Sequence, residues 1–169
     1  TILASSSDQA IIPNGSLVPG VSGTNRVLAV TPATNANGGP VAITLSATDA
    51  SGSTTTTNFN LTVLSVNDAP SFTISPTTIA TTLEDTAFSQ LAWVTSISAG
   101  PANESSQTVS FTATPGNTNL YAVKPAISSI GTLTFTPKLN VTGTDTVTVK
   151  MLDNGGTLRG GTNGSPTQT

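Results

Sequence analysis

The sequence contains no cysteine and no histidine. The chain therefore cannot form disulfides, thiol nucleophiles, histidine-based catalytic triads or zinc sites of the usual ligand type. A chain without cysteine is compatible with a protein outside the cell that does not depend on thiol chemistry.

Charged residues are also scarce, at 8% of the 169 residues, whereas about 25% is usual in globular proteins. The five Lys and Arg residues are scattered singly, and the formal net charge is −3. Nucleic-acid binding needs clustered basic side chains that release counterions from phosphates, so we exclude nucleic acid as a partner. Apolar residues make up 36% of the chain and alternate with polar ones, which indicates a packed core rather than disorder.

Several sequence signals of other protein classes are missing. The chain has no apolar run of about 18 residues, so we expect no membrane span in this segment. No phosphate loop, dinucleotide fingerprint or G-x-S-x-G motif occurs, and the carboxylates are few for glycoside hydrolysis. We therefore expect a protein that is not an enzyme.

What the sequence does contain is a pattern of β-strands. Thr is the most frequent residue, and Thr and Val favour strands, whereas the many Gly, Asn and Pro residues favour turns. Alternation of apolar and polar residues predicts antiparallel strands with one face towards water. The predicted strands are Val41–Thr48, Asn58–Val66, Gln107–Thr114, Gly131–Pro137 and Asp145–Leu152. Short strands separated by turn signals predict an all-β sandwich fold.

An internal repeat defines the organisation of the chain. The stretch VLAVTPATNANGGPVAITLSATDASG resembles TLTFTPKLNVTGTDTVTVKMLDNGG about 105 residues later, which is a normal length for a sandwich domain. Corresponding pairs include Val30 with Phe135, Asn35 with Asn140, Gly38 with Gly143 and, after a one-residue slip, Ile43 with Val147 and Asp49 with Asp153. The repeat predicts two domains, residues 1–68 and 69–169.

The two copies are not equally long in the sequence. Only 30 residues precede Thr31, whereas Thr136 follows Pro70 by 66 residues. We therefore expect the first copy to lack its N-terminal strand or strands, with TILASS as the counterpart of TVSFTA. We expect the second copy to lack its last strand, or barely to begin it.

The stretch ATDASGSTTTTNFNLTVLSVNDAPSF, Ala47 to Phe72, resembles the cadherin-like and immunoglobulin-like tandem repeats of large bacterial surface proteins. The strings LEDTAF, GTLTFTP and DNGG follow in the order typical of those repeats. The resemblance implies tandem Greek-key β-sandwiches that join at VNDAP. It also implies an extracellular, cell-surface location, neighbouring repeats as partners, and calcium between domains in some members.

The acidic residues near the predicted boundary are candidate calcium ligands. Calcium takes six to eight oxygen ligands from carboxylates, amides, carbonyls and water. Alternate loops of a sandwich return to the same end, so residues from the boundary and from two later loops could converge. The candidates are Asn67, Asp68, Glu84, Asp85 and Glu104. The alternative is that Asp68 caps a turn and that Glu84 and Asp85 lie in a solvated turn.

The two hairpin Asp residues and the single Trp each have two possible roles. Asp49 and Asp153 each enter a hairpin, where an Asp either accepts backbone N–H bonds in the turn or contributes to a metal site. Trp93, the only Trp, either packs in the core or lies exposed and stacks on a sugar ring.

These observations favour a non-catalytic extracellular structural or adhesive module of a large bacterial surface protein or filament, in which calcium could stiffen the interdomain joint. The alternative is a carbohydrate-binding or other ligand-binding β-sandwich module. Incomplete sandwiches would also expose strand edges, through which identical subunits could complete one another in a filament.

Overall fold

The computed structural model describes residues 1–74 and 80–169, and the chain divides into two compact units, Thr1–Ser65 and Val66–Thr169. The described residues form antiparallel β-sheets with only short 3-10 turns between them, which confirms the predicted all-β class. The division falls three residues before the predicted boundary, because the VNDAP segment belongs to the second unit.

The first unit contains one three-stranded sheet, of order β1-β4-β5, and a separate hairpin of β2 and β3. The hairpin turns at Gly23, whose φ of 61° suits a two-residue loop. Val41 and Ile43 of the central strand are fully buried against Ile12 and Leu17. Its strands are β1 (Ile2–Ser6), β2 (Leu17–Ser22), β3 (Asn25–Val30), β4 (Gly38–Thr48) and β5 (Thr54–Val63).

The second unit pairs β6 with β8, β9 with β12, and β11 with both β7 and β10. Its core contains Phe72, Trp93, Leu133, Val149 and Met151. The strands are β6 (Ser71–Ile74), β7 (Phe88–Gln90), β8 (Val94–Ser98), β9 (Val109–Pro115), β10 (Tyr121–Ile127), β11 (Leu133–Pro137) and β12 (Val147–Asp153).

The C-terminal segment of the second unit runs back along β12. Gly164 and Gln168 form isolated antiparallel bridges with Leu152 and Val149. Ser165 between them is buried, and its hydroxyl accepts a hydrogen bond from the Met151 N–H at 2.9 Å. Pro166 has no N–H to donate, so this pairing does not become a regular strand.

The two units repeat one order of elements. In each, a 3-10 turn leads into a hairpin, β2–β3 or β10–β11, and a long strand then pairs with an earlier one, β4 with β1 or β12 with β9. Asn35 and Asn140 both adopt a left-handed backbone, with φ of 56° and 55°. Gly38 and Gly143 both have positive φ. The repeat read from the sequence therefore corresponds to a repeat of local backbone geometry.

Some strand predictions differ from the structure. The strand predicted to reach Val66 ends at Val63, and Val66 is exposed. The β2, β3 and β10 strands were not predicted. The apolar residues of β2 and β10 do not alternate cleanly around Pro19, Gly20 and Pro125, and β3 has four apolar residues in succession, from Val27 to Val30. Among the residues that the structure describes, no helix is long and apolar enough to cross a membrane.

Candidate functional site

The polar cluster around Asn67 is the candidate site, and all of its members belong to the second unit. The Asn67 side chain donates hydrogen bonds to Asp153 Oδ1 at 3.0 Å and to the Thr162 carbonyl at 2.8 Å. The side-chain oxygen of Asn67, Oδ1, accepts a hydrogen bond from Gln107 Nε2 at 2.8 Å. The Thr162 N–H returns a bond to the Asn67 backbone carbonyl at 2.9 Å. A single Asn thus joins three separate parts of the unit.

Asp68 takes part through its backbone rather than through its carboxylate. Its N–H donates to both Glu104 carboxylate oxygens, at 3.1 and 3.3 Å. Glu104 lies in the 3-10 turn Ala102–Glu104 and is only 5% exposed, whereas the Asp68 side chain is exposed. The boundary segment is therefore held by a buried acid from a loop 36 residues away.

Asp153 ends β12 and is 8% exposed. Its Oδ1 accepts bonds from Asn67 and from the Gly155 N–H, the latter at 2.9 Å. Its Oδ2 is buried without a hydrogen-bond partner among the described residues, and the same holds for Gln107 Oε1. Buried polar atoms without partners are uncommon and costly, so these two oxygens need an explanation.

Glycines make room for the cluster. A Cβ on Gly155 would overlap the Asn67 side chain, and a Cβ on Gly100 would overlap the Glu104 carboxylate. A Cβ on Gly161 would lie 2.9 Å from the Asn67 backbone nitrogen. The small residues of DNGG and SAGP thus let the boundary segment approach the loops closely.

Glu84 and Asp85 do not join this cluster. Both are exposed, and Asp85 Oδ1 accepts a hydrogen bond from the Asn140 N–H at 2.8 Å. Asn140 precedes β12, whereas Asp153 ends it, so the contact of Asp85 lies beyond the opposite end of that strand. The structure therefore groups Asn67, Asp68 and Glu104 and places the other two candidates elsewhere.

Residues 1–74 and 80–169 contain no group of three or more Asp and Glu side chains that could by themselves hold a metal ion. Any cation at the Asn67 cluster would need amide and backbone oxygens beside its two buried acids. Calcium binding at the boundary remains a prediction.

Asp49, the counterpart of Asp153 in the first unit, makes only local contacts. Its Oδ1 accepts bonds from the Ser51 hydroxyl at 2.7 Å and from the Ser51 and Ser53 N–H groups at 2.9 Å. The Ser51 hydroxyl, followed by the Ser53 N–H, lowers the pKa of the Asp49 carboxyl from its ordinary value of 3.8. This is the turn-capping role that the sequence offered as one alternative.

The two large polar aromatic residues pack inside the second unit. Trp93 is 7% exposed and belongs to the core, so it presents no open face for a sugar ring. Tyr121 packs edge-on against Phe135 and donates its hydroxyl to Asp145 Oδ2 at 3.1 Å. Burial, followed by this hydrogen bond and the Asp145 charge, raises the pKa of Tyr121 to about 12.

Sequence reasoning missed the part played by Gln107 and the central position of Asn67. Gln107 lies two residues before β9 and belongs to no recognised motif. Asn67 is a predicted calcium ligand, and the structure adds that its side chain links Asp153 to Gln107, which lie 86 and 40 residues away in sequence. No local pattern reports contacts of that range.

Comparison with known proteins found no matching protein family, no matching curated protein and no matching solved structure.

Proposed function

We propose that this chain is a non-catalytic structural or adhesive repeat module of a large bacterial surface protein or filament, and that it acts outside the cell. The observation that carries the proposal is the repetition of one element order in the two units, down to left-handed backbone at Asn35 and Asn140. Tandem copies of a β-domain extend a polypeptide without any need for a catalytic site. The resemblance of Ala47–Phe72 to bacterial surface repeats supports the same proposal.

Location at the cell surface can be tested on the bacterium that makes the protein. Antibodies raised against the folded chain should label intact, unpermeabilised cells. Mild protease treatment of the same cells should remove the signal while a cytoplasmic marker protein remains. Labelling that appears only after permeabilisation would contradict the proposal.

Calcium is the second component of the proposal. We propose that one calcium ion orders the boundary segment by taking Asp153 Oδ2 and Gln107 Oε1, the two buried oxygens without hydrogen-bond partners in the described residues. Carboxylate and amide oxygens are ligands that calcium prefers. The Glu104 carboxylate adds a second buried negative charge to the same cluster. Glu84 and Asp85 are not part of this proposal, because they lie elsewhere.

Calorimetric titration of the EDTA-treated protein tests the calcium component. Calcium should release or absorb heat and should raise the melting temperature, because an ion that binds only the folded state stabilises it. Asp153→Asn should remove both effects, whereas Asp49→Asn, the matched change in the other unit, should leave both unchanged. The absence of heat and of any melting shift at millimolar calcium would exclude the ion and leave the module proposal standing.

A further inference from the structure

The chain contains four Asn-Gly pairs, and one of them lies at the edge of the Asn67 cluster. The backbone nitrogen of the residue after an Asn can attack the Asn side-chain amide, which closes a succinimide ring and releases ammonia. Gly in the second position offers no Cβ to hinder the attack. The surroundings of each pair then decide how readily it reacts. The pairs are Asn14–Gly15, Asn37–Gly38, Asn154–Gly155 and Asn163–Gly164.

The side-chain amide of Asn154 is polarised for attack. Its Oδ1 accepts a hydrogen bond from the Thr108 backbone N–H at 2.9 Å. Because an N–H can only donate, the group that faces it must be the amide oxygen, which fixes the orientation of the amide. A backbone N–H at this position stabilises the negative charge that develops on the oxygen when the amide carbon is attacked.

The attacking nitrogen is already in contact with a carboxylate. The Gly155 N–H donates a hydrogen bond to Asp153 Oδ1 at 2.9 Å. Asp153 is buried, and the Asn67 side chain holds the same oxygen at 3.0 Å. A carboxylate fixed at hydrogen-bond distance from a proton that must be removed has the geometry of a general base.

The reacting amide is open to water although the base beside it is not. Asn154 and Gly155 are exposed and follow the end of β12, whereas Asp153 is only 8% exposed. Ammonia can therefore leave the site, and water can reach the ring that forms. The neighbouring carboxylate stays fixed by its own hydrogen bonds.

The other three pairs do not combine the two contacts. Asn14 Oδ1 accepts a hydrogen bond from the Ser6 N–H at 2.8 Å, which polarises that amide in the same way. Within residues 1–74 and 80–169, however, no carboxylate accepts a bond from the N–H of the Gly that follows Asn14. Asn37 and Asn163 have neither contact in this part of the chain. Only Asn154 has both a polarised amide and a base at the next nitrogen.

We propose that Asn154–Gly155 is a self-modifying site, at which Asp153 catalyses closure of a succinimide. The Gly155 nitrogen forms a bond to Asn154 Cγ while its proton passes to Asp153 Oδ1. The electron pair of the amide carbonyl moves onto the Asn154 oxygen, where the Thr108 N–H stabilises it. The proposal does not rest on the proposed function or on calcium.

Release of ammonia completes the ring. The electron pair on the Asn154 oxygen re-forms the carbonyl, and the Cγ–Nδ2 bond breaks. Asp153 returns the proton to Nδ2, which leaves as ammonia, so Asp153 ends in its original state. Water then opens the ring at either carbonyl and leaves Asp or isoaspartate at position 154.

Both products change the surroundings of Asn67. Each places a new carboxylate directly after Asp153, and isoaspartate also inserts an extra methylene into the backbone before Gly155. Gly155 approaches the Asn67 side chain so closely that a Cβ there would overlap it. A longer backbone at this point should therefore disturb the bonds of the cluster, and the hold on the boundary segment should weaken as the protein ages.

The test compares the four pairs within one chain. The full-length, EDTA-treated protein is incubated at neutral pH, and samples are digested with trypsin and analysed by mass spectrometry. Cleavage after Lys150 and Arg159 releases Met151–Arg159, in which Asn154 is the only Asn. Asn154 should lose ammonia at least about tenfold faster than the Asn of any other pair, since a positioned general base contributes about 10²–10⁴-fold. In urea, where the contacts are lost, the four rates should be similar.

A variant isolates the role of the base. Asp153→Asn keeps an oxygen that can accept the Gly155 N–H but cannot take its proton, so the rate at Asn154 should fall at least about tenfold. The circular dichroism spectrum and the rates at the other pairs should not change. Asp49→Asn, the matched change in the first unit, should leave the rate at Asn154 as it is. If Asp153→Asn unfolds, its four rates will equal those in urea, and the unaltered chain, folded and in urea, carries the test.

Three results would overturn the proposal. The first is equal rates at the four pairs in the folded chain. The second is a lower rate at Asn154 in the folded chain than in urea, which would show that the fold protects this amide. The third is a folded Asp153→Asn variant that loses ammonia from Asn154 as fast as the unaltered chain does.

Discussion

Asp49 and Asp153 occupy corresponding positions in two copies of one repeat, yet their surroundings differ. Asp49 is exposed and bonds only to residues of its own turn. Asp153 is buried and bonds to Asn67, which lies 86 residues earlier. The same residue type, at the same entry to a hairpin, is thus a local cap in one unit and a long-range anchor in the other. The repeat preserves the backbone, and the partners decide what the side chain does.

The largest expected effect comes from removing the anchor. Asn67→Ala leaves Asp153, Gln107 and the Thr162 carbonyl without their bonds to this side chain, so the free energy of unfolding of the second unit should fall by about 2–4 kcal/mol. Asn60→Ala, at an exposed position of β5, should change stability by less than about 0.5 kcal/mol. Urea denaturation of both variants measures the difference, and equal effects would show that the Asn67 cluster does not stabilise the fold.

The left-handed Asn that both units share should give the same loss of stability when it is replaced in either unit. Asn35 and Asn140 have left-handed backbone, which Ala adopts at a cost of about 1–2 kcal/mol and Gly adopts freely. We therefore expect Asn35→Ala and Asn140→Ala to destabilise by about 1 kcal/mol each, and the Gly variants to do so by less. Thermal melts of the four variants would test this. A Gly variant less stable than its Ala counterpart would contradict the backbone explanation.

The two hairpins should also differ in how the stability of their units depends on high pH. Leu17 begins the first hairpin as a buried apolar residue, whereas Tyr121 begins the other with its hydroxyl bonded to Asp145. Because the pKa of Tyr121 is raised from 10.0 to about 12, the stability it contributes is complete below pH 10 and is lost as the pH rises towards 12. Absorbance of the phenolate reports this single Tyr directly. A midpoint near 10 in the folded protein would contradict the contact with Asp145.

The smallest effect should come from Asp49. Its folded-state pKa is lowered, so its contribution to stability is present above pH 3.8 and is lost as the pH falls below that value. The melting temperature of the unaltered chain should exceed that of Asp49→Asn at pH 7, and the gap should close on acidification. A gap that does not change with pH would show that the charge of Asp49 does not contribute.

The sequence predicted those features of the fold that depend on neighbouring residues, namely the strands with regular alternation. The alternating strands became β4, β5, β9, β11 and β12, with shifts of a few residues at their ends. Left-handed geometry at Asn35 and Asn140 is consistent with the repeat, since Asn tolerates it better than most residues. Strands β2 and β10 were not predicted, because Pro and Gly residues interrupt their alternation of apolar and polar residues.

Only part of the candidate site could be predicted, because the sequence shows local patterns and not which distant loops meet. The acids of the boundary region stood out because charge is rare, and the structure brings Glu104 to Asp68. Glu84 and Asp85 were grouped with them on the expectation that alternate loops meet at one end, but Asp85 bonds to Asn140 instead. Which end of a sheet a loop reaches depends on the pairing of distant strands, and no short motif encodes that.

The bonds between Asn67 and Thr162 also have a mechanical meaning. Thr162 follows Asn67 by 95 residues, and a second bond links the Gln168 side chain to the Phe72 carbonyl across 96 residues. Both bonds connect the opening segment of the second unit directly to its closing segment. If the unit were pulled through residues 66 and 169, tension would reach these bonds before it reached the packed core. They would act as a clamp, and the force needed to extend the unit would depend first on how quickly a few polar contacts yield.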